Sequence, residues 1–147
     1  MIMEIVSHSL EETQAFAARV ANELRGGDVV ILVGDLGTGK TTFVQGLAKA
    51  FGVKEAVRSP TFTVMNIHPA KHPEVNELIH IDFYRMKDPK EILSLGLEEW
   101  IGKKDVIIFA EWGSGFLDAV ATARVSFEMP DSTTARHIQF DRIEARA

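Results

Sequence analysis

Gly34-Asp35-Leu36-Gly37-Thr38-Gly39-Lys40-Thr41 is the stretch of this chain with the plainest chemical content. It fits Gly, four residues, then Gly-Lys-Thr, the pattern of a phosphate-binding loop. Glycines let successive backbone N–H groups turn inward and form an anion nest with no side chains in the way. A helix begun at the end of the loop adds its unpaired N–H groups and its dipole to that attraction. Lys40 would then reach the β- and γ-phosphates, and the Thr41 hydroxyl would ligate magnesium. At this chain's own frequencies of Gly, Lys, Ser and Thr, about 0.005 such matches are expected by chance, so coincidence is a poor explanation.

A magnesium nucleotide site takes a further carboxylate from another strand end. Two residues qualify. Glu111 follows the apolar run Val106 to Ala110, and Asp82 closes Leu78-Ile79-His80-Ile81. Position alone leaves open which of them serves the metal. Ser59-Pro60-Thr61-Phe62-Thr63 lies where nucleotide hydrolases place a segment that senses the γ-phosphate, although a turn stiffened by proline reads equally well. Arg58, Arg85 and Arg136 could neutralise phosphate charge, but most arginines are surface residues. Trp112 is consistent with plain core packing. Histidines at 8, 68, 72, 80 and 137 form no convincing metal site, since Pro69 and Pro73 spoil the helix that would put His68 and His72 on one face. No Gly-x-Ser-x-Gly nucleophile elbow is present, and with no cysteine there is no thiol nucleophile, disulfide or Cys-ligated metal.

The elements around the loop have the required form. Ser9-Leu10-Glu11-Glu12 is a capping box, and Leu10, Phe16, Val20 and Leu24 follow at helical spacing until Gly26-Gly27. Asp28-Val29-Val30-Ile31-Leu32-Val33 reads as a strand buried on both faces, and Lys40 to Phe51 as a helix stopped by Gly52. Strands are expected over 61–67 and 78–82, with a loop from His68 to Asn76 between them. A helix opens at Asp88-Pro89-Lys90-Glu91 and fades near Gly96, with a further turn through Glu98 to Ile101. Val106 to Glu111 is another apolar strand, and 124–129 pairs with 137–143 as a hairpin. The prediction is one α/β domain over 1–147, a three-layer P-loop NTPase-like fold with a mostly parallel central sheet and an antiparallel C-terminal edge.

Length and composition agree. At 147 residues, 46% hydrophobic and 25% charged, the chain suits one soluble domain that buries about two-thirds of its unfolded surface. No apolar run reaches 18 residues, so no membrane span is expected. The start, Met1-Ile2-Met3-Glu4-Ile5-Val6, lacks a basic lead-in and a cleavage site, so secretion is not expected, and a cytoplasmic setting fits the absence of cysteine. A net charge of −5 argues against a chain that lives on nucleic-acid phosphates by itself. DNA is not expected as a partner, and RNA would be reached through other proteins.

Taken together, these motifs resemble the TsaE (formerly YjeE) family of bacterial P-loop ATPases of tRNA threonylcarbamoyladenosine biosynthesis. The resemblance rests on Thr13, Gly-Asp-Leu-Gly-Thr-Gly-Lys-Thr-Thr at 34–42, Ser-Pro-Thr-Phe-Thr at 59–63, His-Ile-Asp-Phe-Tyr-Arg at 80–85, Leu-Gly-Leu at 95–97 and Glu-Trp at 111–112. It implies that Leu36, Gly37, Thr38, Gly39, Lys40, Thr41 and Thr42 bind ATP, with Thr13 and Arg136 near the nucleotide. It further implies that Thr41 and Glu111 hold Mg2+, that Ser59 to Thr63 act as a switch, and that Asp82 and Trp112 are needed for activity. Lys40, Thr41, Asp82 and Glu111 would form the catalytic set. The implied partner is the TsaB–TsaD pair, with tRNA contacted indirectly through it. The sequence departs from the family pattern in Glu-Trp-Gly-Ser, where a proline often follows the Trp.

Three other readings share the loop. A small-molecule kinase would need an arginine-bearing lid, and no such cluster is present. A GTPase would need Asn-Lys-x-Asp after a strand, whereas Gly102-Lys103-Lys104-Asp105 lacks the Asn and precedes one. A binding switch, in which ATP orders a partner surface and turnover is incidental, is compatible with every residue above.

Overall fold

Val29–Val33 is buried along its first four residues, as a strand must be when neighbours cover both faces of a parallel sheet. The computed structural model describes residues 1–34, 39–54, 65–83, 96–111, 117, 119–129 and 135–143. Within them run β1 (Ile2–Ser7), α1 (Leu10–Ala21), β2 (Val29–Val33), α2 (Lys40–Ala50), β3 (Met65–Pro69), β4 (Glu77–Asp82), α3 (Leu97–Trp100), β5 (Val106–Glu111), β6 (Ala123–Glu128) and β7 (Arg136–Arg142). The seven strands form one sheet in the order β1-β7-β6-β2-β5-β4-β3.

Its centre, β6-β2-β5-β4, is parallel, as the apolar runs predict. The expected hairpin is there as the antiparallel β6–β7 pair. Two features were not anticipated. The first is β1, which adds antiparallel to β7 as the outermost strand. The second is an antiparallel edge on the opposite side too, where β3 pairs with β4 and continues through His68 to Pro69, residues expected to begin a loop. Proline is tolerated there because β3 is an edge strand, whose outward N–H positions need no ladder partner. The start of the 61–67 strand and the helix expected from Asp88 lie outside the described residues.

The alternation of β-strand side chains divides the core in two. One cluster gathers Val30, Leu32, Leu78, Ile107, Phe109, Val125 and Phe140 beneath α1 and α2. The other gathers Ile31, Ile79, Ile81, Ile108 and Ala110 beneath α3 and Leu117. Ser9 caps α1 by accepting from the Glu12 N–H at 3.1 Å, as the capping box requires. The return contact is shifted by one residue: Glu12 Oε2 accepts from the His8 N–H rather than from that of Ser9. Helix α1 ends at Ala21, before the expected glycines, although Leu24 stays buried. The short α3 falls on the turn expected after Gly96.

At the end of the sheet where β2 begins, one carboxylate collects four segments. Asp28 accepts from the Arg25 N–H at 2.6 Å and from Thr122 Oγ1 and Arg142 Nη1 at 2.7 Å each. Arg142 also donates to the Glu23 carbonyl. The start of β2 is thereby tied to the end of β7 and the start of β6.

Helices α1 and α2 meet at Gly46. A Cβ there would lie 2.9 Å from both Ala17 Cβ and Gln14 Cα, closer than carbon atoms approach. Gly46→Ala sets a helix-propensity gain of about 1 kcal/mol against overpacking of about 1–3 kcal/mol, with backbone as the immovable partner. The clash wins: the expected result in urea unfolding is a net loss of up to about 2 kcal/mol with an unchanged m-value.

Candidate functional site

Parallel strands point their C-terminal ends the same way, and in open α/β sheets that end is where ligands bind. Here the ends of β2, β4 and β5 lie side by side, with Asp82 and Glu111 in register. Strand β1 reaches the same end, because it runs antiparallel to β7, which runs antiparallel to β6, which is parallel to β2. The candidate residues are therefore collected by sheet direction before any side chain is considered.

Beyond Gly34, α2 starts at Lys40 with Gly39 as its N-cap at φ 100°, a left-handed conformation that favours glycine. Gly39 has no side chain with which to cap this helix start, so among the described residues backbone N–H groups of the first turn are left for an anion. Lys40 is 4% exposed and donates to the Gly34 carbonyl at 2.6 Å. Its Nζ lies 3.9 Å from Glu111 Oε1, and Glu111 is itself 5% exposed. Asp82 is also buried and shares the sheet face of Glu111. Thr41 and Thr42 follow Lys40 in the first turn of α2 and are half-buried.

Thr13 sits one helix away, in the first turn of α1, and is buried. Its hydroxyl is 2.7 Å from Ser7 Oγ. Ser7 Oγ donates its single hydrogen to the Ser9 carbonyl at 2.9 Å, so Thr13 is the donor of the pair. Arg136 is the register partner of Ser7 at the start of β7. The structure thus brings Thr13 and Arg136 together around Ser7, at the same end of the sheet as Lys40, Asp82 and Glu111. Leu36, Gly37, Thr38, Ser59 to Thr63, Arg58, Arg85 and Trp112 lie outside the described residues.

Two residues of the site escaped the reading of motifs. Ser7 belongs to an edge strand whose outer positions are exposed, so its burial leaves no apolar signature. The other is His80, to which neither the metal-spacing argument nor the motif at 80–85 assigns a role. Its Nε2 lies 2.7 Å from Glu111 Oε2, and the signal was a lone imidazole within an otherwise apolar strand. The oxygen donors fit a hard cation: two strand-end carboxylates and the first-turn threonines suit magnesium, which takes one or two carboxylates and completes its shell with phosphate and water. No group of three His, Asp or Glu among the described residues forms a metal cage. No described helix is long and apolar enough to cross a membrane.

The profile of the TsaE family, described as threonylcarbamoyl adenosine biosynthesis protein TsaE, matches residues 7–138. This chain belongs to the TsaE family. A TsaE of Aquifex aeolicus is 42% identical over 76% of the chain and 77% of its own length. That of Treponema pallidum is 34% identical over 89% and 87%. Among solved structures, YdiB of Bacillus subtilis superposes with a TM-score of 0.74 at 28% identity, covering 98% of this chain and 87% of that one.

The Ser7–Thr13 pair makes an asymmetric prediction for this TsaE chain. Ser7→Ala strands a buried Thr13 O–H and should cost about 1–3 kcal/mol, whereas Thr13→Val removes the donor and should cost about 1 kcal/mol. Urea denaturation of the two variants checks the order.

Proposed function

We propose that this chain binds and hydrolyses ATP as an accessory protein in threonylcarbamoyladenosine modification of tRNA beside the anticodon, acting on the TsaB–TsaD complex in the cytoplasm. The observation that carries the reading is the buried Lys40 ammonium at the start of α2, facing Glu111 across the ends of parallel strands. Membership of the TsaE family supplies the pathway. The net charge of −5 supports contact with tRNA through partners rather than directly.

In this reading Lys40 exchanges its intramolecular partners for the β- and γ-phosphates, and the backbone N–H groups of the loop and the α2 start hold the remaining oxygens. Thr41 and Glu111 would hold magnesium, which would supply positive charge to offset the charge that develops on phosphoryl transfer. Asp82, beside Glu111, orients the magnesium shell or the attacking water. Water adds to the γ-phosphorus as the bond to the β-phosphate oxygen breaks, giving ADP and phosphate. Thr13 and Arg136 approach the nucleotide from the β1 side.

The deciding experiment is ATP turnover with and without TsaB–TsaD and tRNA. Slow hydrolysis that accelerates with the partners is expected, and Lys40→Ala should lower it by at least about 100-fold, as loss of a preorganised cation on the transferring phosphoryl group does. ATP-driven assembly without phosphate release would favour the binding switch, and label transfer to a metabolite would favour a kinase. Magnesium titration of nucleotide binding separates the carboxylates. Glu111→Gln should raise the magnesium requirement more than Asp82→Asn, because Glu111 is assigned as the ligand.

A further inference from the structure

His80 stands in the run Leu78-Ile79-His80-Ile81 with only 1% of its surface exposed. An imidazole buried among apolar neighbours loses its hydration, and an apolar side chain could fill the same space without that penalty. Its Nε2 meets Glu111 Oε2 at 2.7 Å. An ionised carboxylate only accepts hydrogen bonds, so Nε2 carries the hydrogen and His80 donates. Nδ1 is buried as well and finds no hydrogen-bond partner among the described residues. The contact with Glu111 is therefore the one hydrogen bond of this ring among them. It divides the carboxylate: Oε2 is occupied by His80, and Oε1 is left on the side of Lys40, 3.9 Å from its Nζ.

We infer that His80 is a positioning residue, fixing the rotation of the Glu111 carboxylate so that Oε1 alone is presented to the triphosphate and its cation. What Oε1 faces rests on the ATPase reading above; the rotation itself is a property of the folded chain. A carboxylate held by one oxygen enters the metal shell through the other, already oriented. Loss of such an outer partner costs 10–100-fold in metal affinity or activity in comparable sites.

The test is the magnesium dependence of binding a fluorescent ATP analogue, with each variant's thermal melt confirming that it folds. His80→Leu should raise the apparent magnesium dissociation constant about 10–100-fold. His80→Gln, whose amide N–H can replace that of Nε2, should return it to within about threefold of the unsubstituted protein. In a Glu111→Ala background His80→Leu should change it less than about twofold, because the effect passes through residue 111. An unchanged magnesium dependence in His80→Leu, or an effect that persists without Glu111, overturns the inference. If the unsubstituted protein binds no magnesium nucleotide, the ATPase reading fails, and crystal structures of it and of His80→Leu decide the positioning role. A Glu111 carboxylate that turns away from Lys40 in the variant upholds that role, and one that stays in place overturns it.

Discussion

The structure is organised around one electrostatic constraint: an ammonium must sit under the sheet end without being solvated by water. Lys40 loses its hydration shell at the start of α2, and burying a charge is tolerated only with partners at hand. Two of those partners are the Gly34 carbonyl and Glu111. At 3.9 Å and an effective dielectric near 20 the attraction to Glu111 is about 4 kcal/mol, while stripping water from each ion costs several kcal/mol. The pair is thus close to break-even as a stabilising device, and a polyanion arriving at the same place replaces one partner of the ammonium with a stronger one.

Everything that meets this constraint depends on strand direction. β1–α1 and β2–α2 are two copies of one arrangement, each strand delivering its helix start to the same sheet end. The first copy presents Thr13 through Ser7, the second presents Lys40 through Gly34. Gly46 lets the two helices approach until backbone touches side chain, so the two starts are held in fixed relation. At the far end Asp28 gathers β2, β6 and β7, well away from Lys40 and Glu111.

How much of this the residues reveal in advance depends on burial. β2 and β5 are legible because a strand covered on both faces must be apolar throughout, and the capping residues of α1 and the Gly-Lys-Thr of α2 mark their helix starts. β1 is not legible in the same way. Its outward residues Ile2, Glu4 and Val6 are exposed, and its inward ones meet only one layer. Pro69 read as a breaker, yet at a sheet edge it costs no hydrogen bond. The carboxylates at 82 and 111 could be found from strand ends, but their mutual register could not, since pairing is decided by the whole sheet. Likewise His80 was visible as an oddity in an apolar strand, while its target lies 31 positions further along the chain.

The pairing of the outermost strand also has a consequence for biosynthesis. Ile2 through Ser7 pair antiparallel with residues from Asp141 back to Arg136, so β1 finds its strand partner in β7. A ribosome releases these residues in the opposite temporal order to that in which they can dock. The segment carrying Ile2 and Val6 can pair with β7 only after residues 136–142 have emerged, and such widely separated pairing slows folding. Thr13, whose hydroxyl donates to Ser7 of that strand, gains this support only once β1 has docked on β7.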